Sequence, residues 1–193
     1  MLPAGLYSRP YRCSQQRLRI DQRSENETRR ILNLNLNFPL FLTRAFLPQL
    51  RRGSLSTGWV GVVFVGSLAG ESTLPFLCAY SSSKSFLKRA ARVLHAEERA
   101  LHNSKVLFTY LDVGEVRSSG LGGKTSILRP SADDFAKAVV SSLGYLGRRV
   151  VVPWYPHDVL VGILGLVPEG VSEWFAQLKL SALVKDIVIE KDR

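Results

Sequence analysis

Cysteine and histidine are scarce in this sequence of 193 residues. The two cysteines, Cys13 and Cys78, have no C-x-x-C spacing and build no disulfide framework, so we expect a reducing compartment and interpret Cys78 as a small buried packing residue. The three histidines, His95, His102 and His157, fall in no ligand-spaced cluster, so the sequence predicts no metal site. Because no apolar run reaches roughly 18 residues, no transmembrane helix is predicted either.

The chain nevertheless has enough apolar residues for a buried core. Its composition is 46% hydrophobic and 22% charged, which excludes wholesale disorder, and its length suits one domain of ordinary size. The net charge of +10 is unevenly distributed, because residues 1–30 hold seven arginines and three acidic residues. No nucleic-acid motif accompanies these arginines, so we interpret residues 1–27 as a poorly ordered basic leader and expect no nucleic-acid partner. Anion binding by this leader is the alternative.

Helical and strand patterns alternate after the leader. A continuous apolar run between turn residues predicts a strand buried on both faces at 60–65. A second short buried strand is predicted at 106–111 and a third strand at 150–153. Helical periodicity predicts helices at 79–102, 132–146 and 158–181. Ser131 and Asp134 form a plausible capping pair for the second of these helices. This alternation predicts an α/β fold with a parallel sheet and right-handed crossovers.

The segment before the first predicted strand is harder to interpret. Thr28 is a candidate helix cap, yet the alternation of asparagine and leucine over 33–37 is typical of a strand, and Pro39 would kink a helix there. The pattern alone leaves both alternatives open. Glycine and serine are frequent over 51–58, which predicts a loop.

A tyrosine and a lysine lie four residues apart in a long predicted helix, in the run Tyr80-Ser-Ser-Ser-Lys84. This spacing places both side chains on one face of the helix. A nearby ammonium stabilises a phenolate, which a tyrosine acting as general acid or base near neutral pH requires. Ser67 follows the first predicted strand, and ligands of open α/β sheets bind outside the carboxyl ends of strands, so we expect Ser67 in the same site. The alternative is that Ser67 caps a turn and that Tyr80 and Lys84 are surface residues.

In order, spacing and context, these three residues resemble the catalytic serine, tyrosine and lysine of the short-chain dehydrogenase/reductase family. The resemblance covers about residues 30–175 of the sequence. It favours a helix over 33–37, and it identifies Asn35, rather than Asn33 or Asn37, as the match for a fourth catalytic residue. The fold it implies is α/β, a Rossmann-like three-layer parallel sheet that is truncated at its N-terminal side.

The resemblance also implies a role for each matched residue. Tyr80 would exchange a proton with the substrate oxygen, and Ser67 would donate a hydrogen bond to that oxygen. Lys84 would support the phenolate and hold the nicotinamide ribose, and Asn35 would anchor a water that links Lys84 to solvent. The implied cofactor is NADP or NAD.

The segment 113–118 resembles a Pro-Gly-x-Val-x-Thr stretch whose backbone and threonine contact the nicotinamide carboxamide in the family. Gly114 and Val116 match this stretch, Ser118 replaces the threonine hydroxyl, and Val113 departs from it. With Tyr80 and Lys84, the matching residues complete the implied cofactor-binding set. No metal is implied.

Complete family members also carry a glycine-rich TGxxxGxG turn, whose backbone lies against the cofactor pyrophosphate at a helix N-terminus. No such glycine pattern precedes residue 35. We therefore expect residues 28–193 to form a partial domain that keeps the catalytic half and lacks the cofactor-binding half. One hypothesis is an NAD(P)-dependent oxidoreductase that reduces a carbonyl or catalyses the reverse reaction. The other is a non-catalytic fragment that keeps Ser67, Tyr80 and Lys84 and binds no cofactor.

Motifs in the C-terminal part resemble the 17β-hydroxysteroid dehydrogenase and very-long-chain 3-oxoacyl-CoA reductase group. They lie at 129–137, 147–149, 155–158 and 166–168. This resemblance implies a 3-oxoacyl or steroid-like lipid substrate and a location in the cytoplasm or at the surface of the endoplasmic reticulum, with peripheral membrane contact as an option. A homodimer and a partner that supplies strands are the two assemblies left open.

Overall fold

Three parallel strands form one sheet in the part of the chain that the computed structural model describes, residues 19–100, 104–118, 124–143, 149–168, 170–171 and 174. The strands are β1 (Val60–Val65), β2 (Val106–Leu111) and β3 (Val150–Val151), in the order β1-β2-β3. The helices are α1 (Glu25–Leu32), α2 (Phe38–Thr57), α3 (Cys78–Ala100), α4 (Ala132–Leu143) and α5 (Tyr155–Leu164). The predicted parallel sheet with flanking helices is confirmed.

The ambiguous segment 33–37 is helical. Asn33–Asn37 form a π-helical turn that joins α1 to α2. Pro39 lies in the first turn of α2, where the absence of a backbone N–H is tolerated. The cap of α1 is Ser24 and not Thr28, because the Ser24 hydroxyl accepts a hydrogen bond of 3.3 Å from the backbone N–H of Glu27.

The loop predicted over 51–58 is wrong, since α2 continues to Thr57. Its hydroxyl side chains bond to carbonyls of the preceding turn and so do not compete with the helix. The Ser54 hydroxyl donates to the carbonyl of Arg51 at 2.8 Å, and the Thr57 hydroxyl donates to that of Gly53 at 2.9 Å. The helix ends at Gly58, whose φ of 88° is a left-handed conformation that glycine adopts without strain.

The later elements are close to their predicted positions. The capping pair of α4 is confirmed, because the N–H of Asp134 donates to the Ser131 hydroxyl at 3.1 Å. The helix α5 begins at Tyr155, three residues before the predicted start, and most of the predicted span beyond Leu164 lies outside the described residues. The leader also lies outside them up to residue 18.

The core lies between α3 and the strands β1 and β2. The rings of Phe64 and Phe108 stack with their centroids 5.9 Å apart, and Leu87 and Ala91 pack against them from α3. Burial of a large apolar side chain of this kind contributes about 1.5–3 kcal/mol relative to exposure. The remaining buried members of the cluster are Val106 and Tyr110. This core holds α3, and hence Tyr80 and Lys84, against the sheet.

Several apolar side chains of α2 are exposed. They are Phe38, Phe41, Leu42, Phe46 and Leu55. The same helix carries Arg44, Arg51 and Arg52. Among the residues that the structure describes, no helix combines the length and the apolar character needed to cross a bilayer.

A partly buried ion pair joins α2 to α3. The guanidinium of Arg51 donates to both carboxylate oxygens of Glu98, at distances of 2.5–3.2 Å, and the Ser104 hydroxyl donates to the same carboxylate. The Glu98 side chain is 1% exposed and the Arg51 side chain 42% exposed. The hydrogen bonds from Arg51 lower the pKa of Glu98, so the ionised carboxylate stabilises the folded state.

We expect Arg51→Met to lower the free energy of unfolding at pH 7 by roughly 1–3 kcal/mol, because it leaves the buried Glu98 carboxylate without its cation. The effect is smaller than for a fully buried pair, since Arg51 is partly solvated. The contribution of Glu98 is present above its unfolded pKa of about 4.3 and is lost as the pH falls through the lower folded value. Urea unfolding at pH 7 and pH 3 measures both effects. The control is Arg52→Met, at the exposed neighbouring arginine; equal losses in the two variants would contradict the assignment.

The strand β1 has a strand partner along only one edge within the described part of the chain. Its whole length pairs with β2, from Val60 opposite Val106 to Val65 opposite Leu111. The run carries no charge and no proline, and the Val65 side chain is 59% exposed. Unprotected apolar edges of this kind recruit further strands.

We expect the 193-residue chain to self-associate through this edge. Size-exclusion chromatography with light scattering measures the mass, and Val65→Lys should shift it toward the monomer because a charge disfavours strand addition. Val140→Lys, at a 71% exposed position of α4, is the matched control and should leave the mass unchanged. A stable monomer of 21.5 kDa that unfolds cooperatively would refute this expectation.

Candidate active site

Ser67 lies just beyond the carboxyl end of β1. It caps a single 3₁₀ turn, Leu68–Gly70, and its hydroxyl accepts a hydrogen bond of 3.2 Å from the N–H of Ala69. Its side chain is half-buried. The turn-capping role considered from the sequence therefore exists, and it places the hydroxyl at the sheet edge where ligands of parallel sheets bind.

Tyr80 and Lys84 lie one turn apart near the start of α3. The Lys84 ammonium is 5.8 Å from the centroid of the Tyr80 ring, and it donates a hydrogen bond of 3.0 Å to the carbonyl of Val65. Both side chains are half-buried. Burial lowers the pKa of Lys84, because a less polar environment disfavours the charged form. The helix thus presents a phenol and an ammonium near the end of β1. That end is Val65, two residues before Ser67.

Asn35 lies in the π-helical turn and faces the same region. It lines a small cavity of about 170 Å³ together with Val65 and Lys84. Asn33 and Asn37 are paired with each other, since the Asn37 amide donates to the Asn33 carbonyl oxygen at 2.7 Å. Of these three asparagines, the cavity lining includes only Asn35. Asn35 and Lys84 therefore line the same cavity, and the catalytic role of Asn35 stays a prediction.

The segment after β2 lies next to the Ser67 turn. The N–H of Leu68 donates to the carbonyl of Val113 at 2.9 Å, which joins the two loops directly. Gly114 contacts the ring of His157, and a Cβ at this position would lie 2.4 Å from that ring. Only glycine therefore allows His157 to pack where it does.

The other two residues of the predicted cofactor set follow Gly114 along this segment. Val116 is half-buried, and Ser118 is exposed at its end. The segment is held in place by Glu115, whose carboxylate pairs with Arg129 at 3.1 Å, and by the N–H of Arg117, which donates to the Pro130 carbonyl. The structure thus places the segment 113–118 at the same sheet edge as Ser67.

Two buried side chains near the site were not predicted from the sequence. Tyr110, in β2, bonds through its hydroxyl to the backbone of Ser67 and of Lys84. His157, in α5, contacts the Leu128 carbonyl through Nε2 at 3.0 Å while its buried Nδ1 has no hydrogen-bond partner. The one signal for Tyr110 was the glycine at position 66, which leaves room for a large neighbour but does not identify it.

A buried carboxylate lies at the carboxyl end of β2. Asp112 follows β2 and is 1% exposed, and its Oδ2 accepts from the Lys88 ammonium at 3.3 Å. Lys88 also pairs with Glu71 at 2.9 Å. Burial raises the pKa of Asp112, against the opposing effect of Lys88. Lys88 lies four residues after Lys84 on the same face of α3. The Lys88–Asp112 ion pair therefore joins this face of the helix to the end of β2.

Cys78 is exposed and not buried as we expected, because it is the first residue of α3 and precedes the packed face of that helix. No group of three or more residues able to hold a metal ion occurs among the residues that the structure describes. The chemistry that the arrangement supports is proton transfer to or from a bound oxygen by Tyr80, with Lys84 as the nearby cation.

The chain is similar to known proteins in sequence and in fold. The family profile described as short chain dehydrogenase matches residues 4–122, beginning inside the segment interpreted as a leader. Very-long-chain 3-oxoacyl-CoA reductase of Kluyveromyces lactis is 29% identical over 126 residues, which are 64% of this chain and 36% of that protein. Hydroxysteroid dehydrogenase-like protein 1 of Gallus gallus is 26% identical over 170 residues, which are 83% of this chain and 47% of that protein.

The solved structure of a short-chain dehydrogenase from Sphingobium yanoikuyae in complex with NADPH shares the fold. It superposes with a TM-score of 0.59 at 17% identity, over 80% of this chain and 62% of that chain. The chain spans less than half the length of the two curated relatives. The resemblance found in the motifs is confirmed, and because the family profile matches more than half of the sequence, this chain belongs to the short-chain dehydrogenase family.

Proposed function

We propose that this chain carries the catalytic residues of a nicotinamide-dependent oxidoreductase that reduces the carbonyl of a 3-oxoacyl or steroid-like lipid, or oxidises the corresponding alcohol. The observation that carries the proposal is the grouping of Tyr80, Lys84 and Asn35 beside the carboxyl end of β1. The substrate class rests on the names of the two curated relatives, a 3-oxoacyl-CoA reductase and a hydroxysteroid dehydrogenase-like protein.

Each residue of the site has a distinct task in this proposal. Tyr80 donates a proton to the substrate oxygen as the carbonyl is reduced, and accepts it back in the reverse direction. Lys84 stabilises the phenolate that remains, because a cation favours the charged form of a neighbouring phenol. Ser67 donates a hydrogen bond to the substrate oxygen, and Asn35 holds a water in the cavity it shares with Lys84.

The residues fit the nicotinamide end of NADP or NAD. The Lys84 ammonium suits the ribose hydroxyls, and the backbone at Gly114 and Val116 with the Ser118 hydroxyl suits the carboxamide, all at one edge of the sheet. When bound, the cofactor supplies or accepts a hydride. The sequence contains no TGxxxGxG pattern, which is the pattern of the phosphate-binding turn in the family.

That missing turn favours the second candidate, a non-catalytic fragment that keeps the site residues and binds no cofactor. Titration of NADPH into the chain, followed by nicotinamide fluorescence, separates the two. The same titration on a fusion that adds the glycine-rich N-terminal segment of a relative tests whether the site is competent. If NADPH saturates the fusion but not the 193-residue chain, the chain is a catalytic half that needs the added segment. If NADPH saturates neither protein, the non-catalytic fragment is supported.

We expect Tyr80→Phe to remove nearly all carbonyl reduction by the competent form, about 100-fold or more, because the proton donor is lost. Cofactor affinity should be unchanged, since the ring remains. Turnover of a 3-oxoacyl substrate and the fluorescence titration measure the two quantities. Tyr155→Phe makes the same chemical change at an exposed tyrosine and is the control. Substantial turnover by Tyr80→Phe would show that the motif is coincidental.

Lys84→Met should lower both turnover and cofactor affinity, because one ammonium serves the phenolate and the ribose. The loss of cofactor affinity in Lys84→Met should exceed that in Tyr80→Phe, which is expected to be near zero. Lys137→Met, at an exposed lysine of α4, is the matched control. Unchanged cofactor affinity in Lys84→Met would contradict the ribose contact.

A further inference from the structure

Tyr110 is a fully buried tyrosine whose hydroxyl contacts both catalytic elements. The hydroxyl accepts a hydrogen bond of 3.1 Å from the N–H of Ser67 and donates one of 3.2 Å to the carbonyl of Lys84. One phenol therefore joins the loop after β1 to the helix α3, with one bond as acceptor and one as donor. These two bonds cross 43 and 26 positions of sequence.

The ring of Tyr110 is closely packed as well. A Cβ on Gly66 would lie 1.9 Å from the ring carbon Cζ, so the ring fills the space beside the backbone that precedes Ser67. The Lys88 ammonium lies 5.9 Å from the ring centroid. Burial raises the pKa of Tyr110, so its hydroxyl keeps its proton and remains a donor to Lys84 throughout the ordinary pH range.

We propose that Tyr110 is a positioning residue that fixes Ser67 relative to Tyr80 and Lys84; this role rests on the proposed function of those three residues. Ser67 follows a strand while Tyr80 and Lys84 stand on a helix, and the distance between the two elements decides whether one substrate oxygen reaches both hydroxyls. Small displacements of such groups reduce rates strongly.

Other bonds join the two elements without acting on Ser67 itself. The Ser85 hydroxyl donates to the carbonyl of Gly70, three residues after Ser67, and the Lys84 ammonium donates to the carbonyl of Val65, two residues before it. Tyr110 bonds to the backbone of Ser67 directly. Loss of its hydroxyl should therefore remove the direct bond between β2 and the Ser67 N–H, while the neighbouring connections and the bonds from Ala69 and Gly70 to Ser67 within the turn remain.

Amide hydrogen exchange of Tyr110→Phe, followed by NMR, tests the placement. The Ser67 amide should exchange about tenfold faster, the effect of losing one hydrogen bond of ordinary strength. The amides of Gly66 and Leu68 donate to the backbone carbonyls of Leu111 and Val113, so their exchange should stay within about twofold. Tyr155→Phe, at a tyrosine that is 76% exposed, is the matched control and should change none of the three.

Turnover separates positioning from a merely structural role. In the form competent for carbonyl reduction, Tyr110→Phe should lower kcat about tenfold with little change in substrate KM. In a Ser67→Ala background, Tyr110→Phe should have little further effect, because the group it positions is gone. Equal losses in the two backgrounds would overturn the proposal.

The exchange measurement needs no cofactor and no turnover, so a failure of the proposed reaction and a failure of the positioning role are distinguishable. If Tyr110→Phe does not fold, a nuclear Overhauser contact between the Ser67 amide proton and the Tyr110 ring in the unaltered chain still decides the point. Presence of that contact supports the placement. Its absence, or an unchanged Ser67 exchange rate in a folded Tyr110→Phe, would overturn it.

Discussion

Parallel pairing of β1 with β2 brings together the parts of the site that the chain supplies from distant positions. The register sets Val65 opposite Leu111, so both strands end at the same edge. The pairing continues past the strands, because the N–H of Gly66 donates to the carbonyl of Leu111 and that of Leu68 donates to the carbonyl of Val113. Ser67 and the segment after β2 are neighbours for this reason. A shift of the register would separate the two loops and point strand side chains to the opposite faces.

The helices α2 and α3 add the remaining residues to this edge. The packed cluster of Phe64, Leu87 and Phe108 holds α3 on the sheet, and the Arg51–Glu98 ion pair joins α3 to α2. The helix α2 begins beside the π-helical turn that carries Asn35. Such turns occur often at functional sites, because the wider turn changes which side chains a helix directs to its neighbour. Here Asn33 and Asn37 bond to each other, and Asn35 reaches the cavity of Lys84.

Local sequence patterns predicted the secondary structure correctly where a single pattern covered a whole segment. The apolar runs predicted β1 and β2 with the correct bounds. The strand β2 is buried along almost its whole length, as strands of a parallel sheet are, whereas β1 is not buried as predicted: Phe64 is buried and Val65 is exposed, because β1 has a strand partner along only one edge in the described part of the chain. The spacing of Tyr80 and Lys84 predicted a shared helix face. The loop predicted over 51–58 was wrong, since serine and glycine weaken a helix locally but do not end it when Ser54 bonds within the helix and is buried. Composition alone does not report such bonds.

The residues of the candidate site also differ in how far the sequence alone predicts their relations. Residue order and helical spacing decide that Tyr80 stands beside Lys84 and that Ser67 ends a strand, because these relations involve neighbours along the chain. Tertiary packing decides that Asn35 lines the same cavity as Lys84, that the His157 ring packs against Gly114, and that the Tyr110 hydroxyl bonds to the backbone of Ser67 and of Lys84. These contacts join residues tens of positions apart, where no periodic pattern relates the partners. They exist only once the strands have paired and the ring of Tyr110 has filled the space that Gly66 leaves open.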